Sequence, residues 1–219
     1  RISSKVDPSW LYRWVKNPKQ YLPKTKMPNF GFNDKDAFGV TAYLIASSDK
    51  DYTLSEKFIF GDPDKGKKLF NTVGCLACHE IDGKGEVFGP DLTRIANKVN
   101  ADWVTTWLSN PKSYNHKSLM PNLRLSKDQA NDIASYLMIH GEKNLIPGID
   151  KAIDNQALID HGKNVVRTRG CYACHDINGM EAEGRIAPEL SSFGRKMTSE
   201  LEYGDSHIPH TWEAWARTK

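Results

Sequence analysis

Apolar positions along this chain recur at helical spacing, and polar caps mark where the helical stretches open and close. Asp62 as N-cap and Pro63 at the first helical position open a segment with the apolar face Leu69, Phe70 and Val73, which stops at Gly74. Asn100 can cap a second segment, stopped by Pro111, in which Trp103, Val104, Trp107 and Leu108 share one face. Ser126 and Gln129 have capping-box spacing for a third, with the face Ala130, Ile133, Ala134 and Leu137 and with Gly141 just past its end. Leu158, Val165 and Val166 make a further face ending at Gly170. The longest mainly apolar stretch, Val40 to Ala46, is interrupted by Thr41 and Tyr43 and is far shorter than the roughly 18 residues of a membrane span. No bilayer-crossing segment is expected.

These patterns come in copies. Set against residues 94–138 at a fixed offset of 93, residues 1–45 are identical at 17 of 45 positions. Trp10 pairs with Trp103, Trp14 with Trp107, Pro18 with Pro111 and Tyr21 with Tyr114. Met27-Pro28-Asn29 pairs with Met120-Pro121-Asn122, and Tyr43-Leu44 with Tyr136-Leu137. Farther along, Gly66 matches Gly162 and Gly74 matches Gly170 at an offset of 96. A shared period of this length predicts tandem copies of one unit. The expected division is the C-terminal half of a unit over residues 1–50, a complete unit over 57–145, and the N-terminal part of another over 153–219.

Composition narrows the class. With 219 residues, 39% hydrophobic, 26% charged and a mean hydropathy of −0.58, the chain is neither collagenous, coiled-coil nor disordered. A net charge of +3 from 30 basic and 27 acidic residues is too weak and too mixed to imply a nucleic-acid partner.

All four cysteines fall in two copies of one motif, Cys75-Leu-Ala-Cys78-His79 and Cys171-Tyr-Ala-Cys174-His175. Two thiols at this spacing can add across the two vinyl groups of one haem, and the adjoining His then reaches the iron from the same side. Zinc, a thioredoxin-like redox pair and a disulfide framework compete less well. The Cys pairs are 96 residues apart, far beyond zinc-site spacing, and helix rather than strand precedes each motif.

On these motifs the chain resembles the class I c-type cytochromes, and its repetition resembles their tandem, multi-haem members. The resemblance implies an all-α fold of class I cytochrome c-like domains wrapped around covalently attached haem c. Two haems would be attached here, through Cys75 and Cys78 and through Cys171 and Cys174, and a further haem is expected for the incomplete first unit. It implies His79 and His175 as proximal iron ligands and Met120 as a distal one, and it makes Met27 the corresponding ligand of the first unit. Pro90 would orient His79 through its carbonyl. Trp107 and Tyr114 sit where the family contacts haem propionates or the methionine loop, and Gly66 and Phe70 would meet Tyr136 where first and last helices cross. Because haem c is attached outside the cytoplasm in bacteria, a periplasmic or extracellular location is implied.

Several of these residues have plainer readings. Methionine is usually core filler, but Met120 stands before Pro in a loop and recurs as Met27 in the same surroundings. The tryptophans are first of all core. His116, His140 and His161 have no repeated counterparts and read as solvated or packing residues. The cluster of Lys65, Lys67 and Lys68 reads as a wet helix face, or as a docking patch for an acidic redox partner.

The ends are ragged. Arg1 aligns with Arg94, so Met27 has no CxxCH ahead of it. The last unit has Ala187-Pro188-Glu189-Leu190 but no Met-Pro loop, and Met180, Met197, His207 and His210 are its local ligand candidates. Either the chain is the middle of a longer cytochrome, or its opening half completes its closing half as a circular permutation that gives Met27 to the haem on His175. Trp212 to Lys219 resembles Trp10 to Lys19, and one domain needs that segment once, so truncation is favoured. Either way, each half-unit is expected to expose an unpaired helix face for missing chain or another subunit.

Iron held between His and Met has no free position for substrate and moves one electron. The expected function is electron transfer, free or within a respiratory complex, to redox partner proteins or further haem domains. The alternative is a haem enzyme resembling a di-haem peroxidase, or a gas sensor, using an open iron position on the third-unit haem.

Overall fold

The computed structural model describes residues 1–49, 51–183 and 196–218; the expected Ala187-Pro188-Glu189-Leu190 loop lies outside them. In chain order the helices are α1 (Pro8–Lys16), α2 (Pro18–Tyr21), α3 (Asp34–Ala46), α4 (Pro63–Thr72), α5 (Ile95–Lys98), α6 (Ala101–Ser109), α7 (Pro111–Tyr114), α8 (Lys127–Met138), α9 (Ile149–Ile153), α10 (Gln156–Thr168) and α11 (Trp212–Thr218). Single 3-10 turns cover Cys75–Ala77 and Cys171–Ala173. The fold is helical, as expected of a cytochrome c, with one small departure: Glu80–Ile81 and Lys84–Gly85 pair as a two-residue antiparallel hairpin, β1 and β2.

Local chemistry sets the helix ends. Asp62 accepts hydrogen bonds from the amides of Asp64 and Lys65 at the start of α4, and Asn100 accepts one from Trp103 in α6. Ser126 and Gln129 form a reciprocal capping box on α8. Past α4 and α10 the chain turns at Gly74 (φ 99°) and Gly170 (φ 67°), a left-handed conformation that glycine adopts without a Cβ penalty.

The helices build two cores. One gathers Phe70, Cys75, Ile81, Leu92, Trp103, Val104, Ile133 and Tyr136, all from residues 70–137. Here α4 crosses α8 so closely that a Cβ on Gly66 would collide with the Asp132 carbonyl, and the Phe70 and Tyr136 rings lie 5.5 Å apart. The other joins the two ends of the chain: Trp10, Leu11, Val15, Val40 and Tyr43 pack with Ile149, Val165, Val166 and Met180. Here α3 crosses α10, and a Cβ on Gly162 would collide with the Gly39 carbonyl. Gly162 matches Gly66 and Gly39 matches Asp132 in the repeat, so the two crossings use equivalent positions.

This corrects one expectation. Among the described residues the half-units cover each other: His161 Nε2 lies 2.7 Å from Asp36 Oδ1 across the α3–α10 contact, and Tyr43 Oη donates to the Asn178 carbonyl at 3.2 Å. The physical reason lies in which tryptophan helix is used. It is α1 that packs on α3 and α9, whereas Trp212 and Trp215 of α11 donate their indole N–H groups to the carbonyls of Lys196 and Glu202 in their own neighbourhood.

The two lobes meet along a seam with local two-fold character. Val6 and Val99, equivalent in the repeat, form a single antiparallel bridge. The amide of Asp7 donates to the Lys98 carbonyl at 2.9 Å, and the amide of Asn100, its counterpart, donates to the Lys5 carbonyl at 3.1 Å. Among the described residues no helix is long and apolar enough to cross a membrane.

Candidate functional site

The CxxCH motif of the 63–140 region is held by the α4 end and by a loop folded back over it. The left-handed Gly74 starts the 3-10 turn, and the His79 amide closes onto the Cys75 carbonyl at 2.9 Å. The Glu86 amide then bonds the Leu76 carbonyl at 3.0 Å, and the Leu92 amide bonds the Glu80 carbonyl at 2.8 Å. This brings Pro90 to His79, whose Nδ1 lies 2.8 Å from the Pro90 carbonyl. A carbonyl can only accept, so Nδ1 carries the proton and Nε2 keeps a lone pair for a metal. Gly89 lies flat on the imidazole, and a Cβ there would strike the ring.

Met120 sits in the loop between α7 and α8, half-buried against the same core. The Trp107 indole N–H donates to its sulfur at 2.9 Å, and its amide bonds the Ser118 hydroxyl at 3.2 Å. Trp107 stacks on Trp103 with centroids 5.1 Å apart, and Tyr114 closes the cluster edge-on, 5.7 Å from Trp103. Exposed Val87, Phe88 and Leu119 flank the two ligand loops.

The chain ends reproduce much of this arrangement. Trp10 stacks on Trp14 at 5.4 Å, Tyr21 meets Trp10 edge-on at 5.3 Å, and the Met27 amide bonds the Thr25 hydroxyl at 3.2 Å. Cys171 is half-buried on the core that contains Val165 and Met180, while Cys174 and His175 are exposed. Of the other ligand candidates in this region, Met180 is a buried core residue, and Met197, His207 and His210 are exposed or partly so. His116 is exposed, and His140 packs edge-on to Tyr136 with its Nδ1 3.4 Å from Asp82.

None of the cysteines is paired with another. Burial pushes the Cys75 and Cys171 thiols up, whereas a redox CxxC lowers its attacking thiol. Among the described residues no three His, Cys, Asp or Glu side chains gather as a zinc site would need. The residues present do fit a haem. The thiols are spaced for its vinyl groups, one imidazole is oriented with its Nε2 open, and a thioether is held on the same core. Two deeply buried indole N–H groups, those of Trp10 and Trp103, also lack an acceptor.

Sequence reasoning missed the seam. Lys5 places its ammonium 4.4 Å from the Trp103 ring, and Lys98 places its own 4.9 Å from the Trp10 ring, each in the opposite lobe. The shared Arg-Ile-x-x-Lys-Val of residues 1–6 and 94–99 was the available signal.

Comparison with known proteins agrees with the geometry. Residues 63–140 match the family Cytochrome c. The chain is similar to CcoP, which belongs to the cbb3-type cytochrome c oxidase of Helicobacter pylori, being 40% identical over 73 residues that cover 31% of this chain and 24% of that protein. It is also similar to one subunit of the nitric oxide reductase of Stutzerimonas stutzeri, 25% identical over 79 residues, 33% of this chain and 54% of that protein. The match thus spans about a quarter of the first relative's length and about half of the second's. No solved structure matches. With His79, Pro90 and Met120 all inside the matched segment, the chain carries a class I cytochrome c domain over residues 63–140.

Proposed function

We propose that the protein is an electron carrier with two haem c groups, working as a haem subunit or partner of a respiratory oxidoreductase on the periplasmic side of a bacterial membrane. When bound, haem supplies a one-electron iron couple. The chain's residues do the rest. Cys75 and Cys78 would tether the first group, His79 and Met120 would supply its iron ligands, Pro90 would fix the imidazole tautomer, and Trp107 would hold the thioether. Iron held by both side chains would leave substrate no place to bind and would exchange one electron with its ligands kept.

The second group belongs to the chain ends in this reading. Residues 1–49 and 146–183 make one circularly permuted unit, with Cys171, Cys174 and His175 from one segment and Met27 from the other. What supports it is the α3–α10 crossing at Gly39 and Gly162, equivalent to the α4–α8 crossing. The observation that carries the function is the His79–Pro90 hydrogen bond, in a lobe whose core also holds Met120 and inside a cytochrome c match. The names of the relatives, one from an oxidase and one from a reductase, support a place beside other redox subunits.

A haem stain of the denatured protein with an intact mass on the same band tests this. Two covalent haems, and no carbon monoxide binding on reduction, are expected. An unstained band would remove the reading, and carbon monoxide binding at one haem would replace pure electron transfer at that centre.

A further inference from the structure

At each edge of the seam an arginine of one lobe grips the chain just ahead of the other lobe's methionine loop. Arg94 of the second lobe donates from its guanidinium to the Tyr21 carbonyl at the end of α2, and the Tyr21 hydroxyl donates back to the Arg94 carbonyl at 3.2 Å. The counterpart pair runs the other way. Arg1 Nη1 donates to the Tyr114 carbonyl at the end of α7 at 2.8 Å, and the Tyr114 hydroxyl donates to the Arg1 carbonyl at 2.7 Å. Arg1 and Arg94 are equivalent in the repeat, as are Tyr21 and Tyr114.

Both gripped carbonyls belong to the last residue of a short helix and have no partner within it, so a cationic donor there satisfies an orphan acceptor and suits the C-terminal end of the helix. The Arg94 guanidinium also lies over the Tyr21 ring, 4.8 Å from its centroid, which favours this one placement of the side chain. Each tyrosine ring is in turn fixed edge-on against Trp10 or Trp103, at 5.3 and 5.7 Å.

From each tyrosine a ladder of local bonds leads to the methionine. The Leu22 amide bonds the Pro18 carbonyl at 3.0 Å, the Thr25 amide bonds the Leu22 carbonyl at 3.0 Å, and the Met27 amide bonds the Thr25 hydroxyl. In the second lobe the Asn115 amide bonds the Pro111 carbonyl at 3.0 Å, the Ser118 amide bonds the Asn115 carbonyl at 2.9 Å, and the Met120 amide bonds the Ser118 hydroxyl. Bonds this local set the shape of a loop but not its position against the CxxCH segment. At Tyr21 and Tyr114 that position is held from the opposite lobe.

Resting on the reading above that Met27 and Met120 are axial ligands, we propose that Arg94 and Arg1 are positioning residues, each keeping the opposite lobe's methionine loop where its thioether reaches iron. Arg94 acts for Met27, and Arg1 acts for Met120. Arg94 stands shortly after Pro90, whose carbonyl orients His79. The segment that orients the imidazole of the second lobe therefore continues into the anchor for the thioether of the first.

The test is a carbon monoxide titration of the reduced, haem-loaded protein, with intact mass measured on the same sample. Carbon monoxide enters only while the thioether is off the iron, so its apparent affinity follows the fraction of protein with methionine displaced. Arg94→Leu removes one exposed, charge-assisted hydrogen bond and should raise that affinity at one haem by roughly three- to tenfold. Methionine variants identify the haem: Arg94→Leu should add nothing to Met27→Ala, but should add a second, weaker site to Met120→Ala. Arg1→Leu should give the converse. Arg94→Lys, which keeps a cationic donor, should give a smaller rise than Arg94→Leu, and Tyr21→Phe, which removes only the returning hydroxyl, should raise the affinity at the same haem. These two milder changes test the contact even if Arg94→Leu does not fold. A rise at the Met120 haem, at both haems alike or at neither would overturn the assignment of Arg94 and leave the two-haem reading standing. A single attached haem, or a Met27→Ala variant with both haems unchanged, would overturn that reading for the first lobe and the role of Arg94 with it.

Discussion

Gly162 of α10 faces the carbonyl of Gly39 in α3 with no room for a methyl group between them. The same relation holds between Gly66 and the Asp132 carbonyl in the other lobe. Replacing Gly162 by Val should therefore destabilise the first lobe as Gly66→Val destabilises the second, by about 1–3 kcal/mol or more from overpacking. Denaturant unfolding with Trp fluorescence would measure both. An unchanged midpoint for Gly162→Val would mean that the two chain ends do not pack in solution.

Met120→Ala should open one axial position in the haem-loaded protein. Carbon monoxide binding to the reduced form, absent before, is expected at about half of the haem. Met27→Ala should do the same at the other half, and binding by neither variant would remove both methionines from the iron.

The Trp107 indole donates to the Met120 sulfur, drawing electron density from the thioether and favouring ferrous iron. Trp107→Phe keeps the stacking and removes the donor, so the potential of that haem should fall. A neutral hydrogen bond contributes about 0.5–1.5 kcal/mol, which bounds the fall at roughly 60 mV. A rise in potential would show that Trp107 acts by other means.

Lys5 adds a pH dependence in the haem-free chain. Its folded-state pKa, about 8, lies below the ordinary 10.5, so between these values the unfolded chain binds more protons than the folded one. Stability should rise with pH across that window, and the rise should shrink in Lys5→Met, the remainder coming from Lys98, which burial also pushes down. Thermal melts at pH 8 and pH 10 would measure it.

Much of the second lobe was legible in the sequence because its signals are local. Asp62, Asn100 and the Ser126–Gln129 box bond within three residues of themselves, and the gap between Trp103 and Trp107 is one helical turn. The packing of Gly66 on α8 followed from the family likeness. The pairing of α3 with α10 was not legible, because it joins residues about 120 positions apart and the tryptophan helix occurs three times. Of the tryptophan helices, α1 packs on α3 and α9, while the indoles of α11 bond carbonyls in their own neighbourhood. The β1–β2 hairpin, two residues a side, is too short for a period to register. The approach of Lys5 and Lys98 to the rings of the opposite lobe was not legible, because it depends on the seam that brings the two copies together.

The Val6–Val99 bridge pairs each residue with its own counterpart in the repeat. A contact of that kind is isologous: the same patch serves both sides and is consumed once. A head-to-tail contact could admit a third unit in the same way as the second, and a fourth after it. This one closes at two. Anything that joins the pair must therefore use a different surface.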